Sequence, residues 1–231
     1  MKYLVFFALL LFATTAQAIP IDHAGILSSA TSVMTEILDS PDESIPSALL
    51  ANTKAILIFP TMLKGGFMFA ARYGRGVVTT RSGTTGEWSP PSFMTMVGGS
   101  FGLQIGGEAV DLILLVMTQR GIDGLLMDKF TFGGDIAVAA GPVGRHAEAS
   151  TDIMMQGEIY SYSRSKGAFA GMSLDGTIIS TDHDSNKIYY GNPYTPEDIL
   201  FDGNVKKPSE TTLRFIKEMN RLAPPQRAPS R

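Results

Sequence analysis

Five cations, Lys54, Lys64, Arg72, Arg75 and Arg81, fall within residues 54–81, a stretch that contains no acidic residue. If the glycine pairs Gly65-Gly66 and Gly74-Arg75-Gly76 are turns, Lys64 and Arg75 sit at loop tips beside apolar Phe67 and Met68. A basic rim next to exposed apolar groups suits a negatively charged bilayer, where each cation contributes about 1 kcal/mol. The competing reading makes the same residues solvated side chains on strand ends. Strand alternation would also split them, because neighbouring residues point to opposite faces.

Catalytic chemistry finds less support. The histidines are His23, His146 and His183; none forms an i, i+4 pair and none sits in a metal-ligand spacing. His183 stands between Asp182 and Asp184, which suits a polar loop better than a cation site. Gly171-Met172-Ser173-Leu174-Asp175 lacks the final glycine of a nucleophile elbow, and no phosphate-cradling loop occurs. Asp111, Asp123 and Asp135 are scattered carboxylates whose spacing argues for no site. With no cysteine, thiol chemistry, thiolate metal sites and disulfides are excluded. The expectation is a non-enzyme with no cofactor and no metal.

The elements that must position these residues begin after a leader. Lys2, the apolar run 4–13 and Ala16-Gln17-Ala18 form the three-part pattern of a secretory signal peptide, with cleavage between Ala18 and Ile19. The run is too short to cross a bilayer as a helix, so the mature chain is expected to have no transmembrane span. Export ends in the periplasm or the medium. The mature chain has 213 residues, enough for one domain with its own core. Its charge is −4, which is not that of a nucleic-acid binder.

Residues 21–38 read as an amphipathic helix whose polar face carries no lysine or arginine, favouring core packing over the membrane interface. A short helix over 46–52 follows. From 55 the period becomes that of strands: 55–59, 66–73, 76–81, 93–97, 100–106 and 109–117, the apolar run 110–117 fitting a buried strand or a buried helix. Residues 121–127 read as a short helix and 130–140 as strand. Strands at 158–163, 167–174 and 177–181 read as a closing meander, with Asp175-Gly176 as a type I′ hairpin turn. A helix over 209–222 precedes a proline-rich tail expected to be disordered. The fold class is α+β: a many-stranded, mainly antiparallel sheet curled into a barrel or sandwich, flanked by N- and C-terminal helices. The organisation is leader 1–18, helix 19–43, one domain 44–191, and helix plus tail 192–231.

Five blocks together carry a resemblance: FP-x₃-KGGF at 59–67, SFGLQIGG at 100–107, 112–118, Gly134-Asp135-Ile136-Ala137-Val138, and SKGAFAG at 165–171 leading into Leu174-Asp175-Gly176. The chain resembles the SYLF domain, or Ysc84, family over about residues 44–191. The resemblance implies a lipid-binding module; eukaryotic relatives join it to SH3 or FYVE domains, bind phosphoinositides, and in fungi touch actin filaments. It implies an anionic membrane lipid as partner; the alternative to that reading is an envelope scaffold that binds an apolar ligand or a protein partner, and an unrecognised hydrolase ranks last. Residues 21–38 are a loose counterpart of the amphipathic segment associated with lipid contact in those relatives.

Overall fold

The computed structural model describes residues 20–40, 45–67, 69–101, 106–142, 157–165, 168–170 and 174–225. Residues 1–19, with the leader expected over 1–18, His146, the centre of the SFGLQIGG block and the last six residues lie outside the described residues.

Helix α1 (His23–Leu38) starts where the Asp22 carboxylate accepts the Gly25 N–H at 2.8 Å, a side-chain cap that satisfies one of the free amides of the first turn. Its stripe of Leu27, Ala30, Val33, Met34 and Ile37 is buried, so its apolar face is spent on the core. Helix α2 (Ser47–Asn52) leads into β1 (Ala55–Phe67). Then come β2 (Phe69–Thr80), β3 (Ser92–Phe101), β4 (Gly106–Val116), α3 (Gln119–Leu125), β5 (Lys129–Thr131) and β6 (Val138–Ala140). The chain continues through β7 (Ile159–Ser165), β8 (Ala168–Ala170) and β9 (Ile178–Thr181) to α4 (His183–Tyr190), α5 (Pro196–Leu200) and α6 (Glu210–Leu222).

The nine strands form one sheet in the order β5-β9-β3-β2-β1-β4-β7-β6, with β8 added beside β7. Every pairing is antiparallel except β6 with β7. The sheet curls into a half-barrel flanked by helices, the α+β class that the sequence implies.

Both faces of the sheet are covered over most of its length. Ile56, Ile58, Val77, Ile113 and Leu115 pack under α1, α2 and α6. Leu57, Phe59, Val78, Leu112 and Leu114 face the other way, toward α3, α5 and the Phe130–Phe132 edge-to-face pair. This is why β1 and β4 read as unbroken apolar runs: alternate residues feed two cores. The run 110–117 is therefore a strand, not a helix. Helix α6 contributes Phe215 and Met219 to the same core as α1.

Several boundaries differ from the sequence reading. Gly74-Arg75-Gly76 is no turn; β2 runs straight through it, and the β1–β2 pairing extends to Phe67 opposite Phe69. A Cβ on Gly76 would lie 2.2 Å from the Ile58 carbonyl oxygen and 2.6 Å from the Phe59 ring. These glycines make room for β1 side chains instead of bending the chain. Residues 130–140 form two short strands around a turn at Gly133 (φ +82°). The Asp175-Gly176 turn has positive φ at Gly176 (+73°) but not at Asp175, so it is not type I′. It joins strands that pair with different partners, β8 with β7 and β9 with β3 and β5.

Candidate functional site

The pivot of the site is a bulge in β1. Phe59 pairs with Leu112 and Met62 with Val110, so Pro60 and Thr61 together oppose Asp111 alone. Thr61 takes φ +58°, and its N–H donates to Asp111 Oδ1 at 3.0 Å. An extra residue on one strand reverses which face the following side chains use. Before the bulge the even positions Ile56 and Ile58 face α1; after it Met62 joins the opposite core and Leu63 comes to the α1 side.

Asp111 also accepts Arg164 Nε at 3.0 Å and Nη2 at 2.5 Å, and Arg164 pairs with Glu36 of α1. The bulge, β7 and α1 are thus tied through one carboxylate. Asp111 is structural here.

Beyond the bulge, helix α1 no longer covers the sheet. Leu63 stands opposite Tyr73, and Tyr73 opposite Val97, on three adjacent strands. They remain 57%, 43% and 52% exposed. Exposed Ala109 extends the row on the β4 side and half-buried Ile178 on the β9 side. Directly opposed side chains on neighbouring strands lie about 5 Å apart, so Leu63, Tyr73 and Val97 make one contiguous apolar band. The next row toward the strand ends is small: Gly107, Gly65, Ala71 and Gly99 are successive register partners. Past it, the register sets Phe67 opposite Phe69 and Phe69 opposite Phe101.

Arg75, two residues after Tyr73 on the same face, is exposed, its guanidinium carbon 5.8 Å from the Tyr73 ring centroid. Between this band and the start of α1 runs a groove of about 540 Å³ walled by Ile21, Ile26, Pro60, Leu63, Tyr73 and Arg75, with Asp22 at its edge. His23, the first residue of α1 and next to Asp22 in sequence, is buried, its ring 5.0 Å from Phe93 and 6.0 Å from Tyr189. Burial holds the His23 imidazole below its ordinary pKa; the carboxylate of Asp182 opposes that, Arg75 adds to it and Asp22 again opposes it.

The five cations do not meet on one face. Arg75 alone flanks the apolar band. Lys64 and Arg72 are register partners on the opposite face, Arg72 by alternation along β2 and Lys64 through the parity change at the β1 bulge. Arg72 is only 8% exposed, its Nη1 3.4 Å from Thr177 Oγ1, and burial lowers its pKa. Lys64 is half-buried with Glu108 directly opposite on β4. Lys54 and Arg81 stand at the far end of the β1–β2 pair, ~30 Å away at about 3.3 Å per residue. Arg81 is held by the carbonyls of Leu50, Thr53, Gly86 and Ala223 at 2.9–3.2 Å, with Trp88 beneath its guanidinium. Neither Lys64 nor Arg75 is at a loop tip; both lie within strands. What the sequence reading missed is the apolar band, whose residues alternate as core residues do.

The other candidate groups are engaged structurally. Asp135 accepts the Thr131 N–H at 2.8 Å, Asp123 the Gln119 amide at 3.1 Å, and Asp182 caps α4 through the Ser185 N–H. His183 meets Asp128 at 2.9 Å on the surface, at the head of α4 where a polar loop was expected. Among the described residues no group of three or more histidines and acids could hold a metal ion, and no helix is long and apolar enough to cross a membrane.

Residues 97–221 match the model of the Ysc84 family, described as Las17-binding protein actin regulator. Protein YSC84 of Saccharomyces cerevisiae is 36% identical over 181 residues, covering 76% of this chain and 38% of that protein. LAS seventeen-binding protein 3 of the same yeast is 36% identical over 170 residues, 72% of this chain and 36% of its own length. The human SH3 domain-containing YSC84-like protein 1 is 32% identical over 173 residues, 74% of this chain and 50% of that protein. The chain thus spans half or less of the length of these curated relatives. The matched segment runs through β4, the strand that carries Asp111, and on into α6, which closes the core over α1; the chain belongs to the SYLF, or Ysc84, family.

Proposed function

We propose that this protein is an exported, non-catalytic module that binds the surface of anionic phospholipid membranes. The observation that carries the reading is the Leu63–Tyr73–Val97 band, the three large apolar side chains that stand exposed on the strands among the described residues. A large apolar patch kept at the surface marks an interaction site. Burying the exposed halves of three such side chains is worth ~2–4 kcal/mol, and Arg75 at the edge adds about 1 kcal/mol on an anionic surface. That sum suits reversible, peripheral attachment. It replaces the five-cation patch with an apolar band plus one flanking cation, and Lys54, Lys64, Arg72 and Arg81 fall outside it.

A protein partner is the second reading, favoured by the family description, which names Las17 binding and actin regulation. An apolar band with a polar border suits such a partner as well. Export through the 1–18 leader, followed by release in the periplasm or medium, places the protein beside phospholipid. Co-sedimentation of residues 19–231 with neutral and anionic vesicles at low salt tests the proposal. Pelleting that rises with anionic lipid is the expected result; equal, background pelleting with both would exclude membrane binding and leave the protein-partner reading.

A further inference from the structure

At the end of the sheet away from the apolar band, Lys54 and Arg81 share the wall of a separate cavity of about 570 Å³. The two are joined by the backbone, the Arg81 N–H donating to the Lys54 carbonyl at 2.7 Å. The Arg81 guanidinium is surrounded by four neutral carbonyls and the Trp88 ring. Among the described residues it has no carboxylate within ion-pairing distance, and neither has Lys54. A guanidinium carries five N–H donors; the four carbonyls leave one on Nη1.

A partly buried cation with no counter-ion is unfavourable unless something negative approaches it. Burial indeed lowers the Arg81 pKa to about 10. Glu87 is the one acid on the cavity lining, and it is exposed and outside ion-pairing distance of both cations. The exposed Lys54 ammonium doubles the positive charge. The rest of the wall mixes neutral polar side chains, Ser82, Thr84, Thr85, Ser89 and Gln119, with an apolar part made by Ile122, Ile199 and the 44%-exposed ring of Phe201. A cavity that carries both positive charge and an exposed aromatic ring suits an amphiphilic ligand, since a bare ion would leave Phe201 uncovered.

We infer that this cavity is a binding site for a small organic anion, its phosphate or carboxylate held by Lys54 and Arg81 and its apolar part laid against Phe201. The shared chemistry is that of a phosphate monoester, whether from a lipid headgroup or from a soluble metabolite. The site is ~30 Å along the strands from the membrane-facing band and does not depend on it.

Trp88, the only tryptophan in the chain, lines the cavity and reports on it directly. Titration of the protein with phenyl phosphate is expected to give a saturable change in tryptophan fluorescence. Neutral phenol and inorganic phosphate are each expected to bind at least about tenfold more weakly, one lacking the charge and the other the ring. Lys54→Ala is expected to weaken phenyl phosphate at least about tenfold; the side chain is exposed, so the fold survives. Phe201→Ser is expected to narrow the gap between phenyl and inorganic phosphate. Monomeric short-chain phosphatidic acid separates the two sources: tighter binding than phenyl phosphate assigns a lipid headgroup, weaker binding a soluble ester, and both support the site. No saturable response to phenyl phosphate, equal binding of phenol, equal binding of inorganic phosphate, or an unchanged titration with Lys54→Ala would overturn the inference. Leu63→Ser leaves the titration unaltered while weakening vesicle binding, so failure of one site is distinguishable from failure of the other.

Discussion

Replacing Leu63 by serine removes the largest exposed apolar contributor to the band while touching little else. The side chain is 57% exposed, and a fully buried leucine contributes ~1.5–3 kcal/mol relative to an exposed one. Covering that exposed part with lipid is therefore worth about 0.9–1.7 kcal/mol, and its loss should weaken vesicle binding by ~5–20-fold. Val97, 52% exposed and one strand beyond Tyr73, acts through the same interface. Leu63→Ser with Val97→Ser should cost about 2–3 kcal/mol, roughly 30–150-fold, if both contacts form together. Stability should fall by less than about 1 kcal/mol, since both sites face solvent. The matched control is Leu213→Ser on α6, 54% exposed but neither on the sheet nor on the groove beside the band; it should leave binding unchanged. Vesicle co-sedimentation across a lipid titration measures all three, with a denaturant midpoint confirming the fold. A folded double variant that binds as tightly as the parent would refute the reasoning.

Arg75→Ala should weaken binding to anionic vesicles by about fivefold, leave any residual binding to neutral vesicles alone, and flatten the dependence on salt. Arg81→Met should lower stability by about 3 kcal/mol or more, because it leaves the carbonyls of Leu50, Thr53, Gly86 and Ala223 without their donor; urea unfolding checks it. Gly76→Ala places a methyl against Ile58 and Phe59 and should cost ~1–3 kcal/mol on the same assay. His23 has a folded pKa held below its ordinary 6.5, so the unfolded chain binds more protons in that window. Stability is complete above pH 6.5 and declines as pH falls through the folded pKa; the thermal midpoint should drop on acidification, and His23→Phe should flatten that slope.

The parts of the fold legible in the sequence are those set by local pattern. The α1 stripe, the Ser209 cap of α6 and the paired apolar runs of β1 and β4 each follow from the spacing of residues near one another. Glycine was ambiguous. A glycine that bends the chain and one that admits a neighbour's side chain look alike in sequence, and only the β1–β2 register shows that Gly76 lies under Phe59. The basic stretch misled for a related reason. Its five cations are close along the chain, but alternation along β2 separates Arg72 from Arg75, and the one extra residue at Pro60–Thr61 reverses the parity that decides the face of Lys64. Arg81 finds its partners at Leu50 and Ala223, the latter 142 residues away. The apolar band was hidden because Leu63, Tyr73 and Val97 become neighbours only through pairing, and singly each reads as a core residue.

Because the chain has no cysteine of its own, a polarity-sensitive fluorophore on Leu63→Cys reports one position without ambiguity. With anionic vesicles its emission should shift to the blue, as the label leaves water for the acyl region, while the same label on Leu213→Cys stays unchanged. A shift at position 213 with none at position 63 would contradict the account, because the membrane would then be meeting α6 and not the uncovered strands.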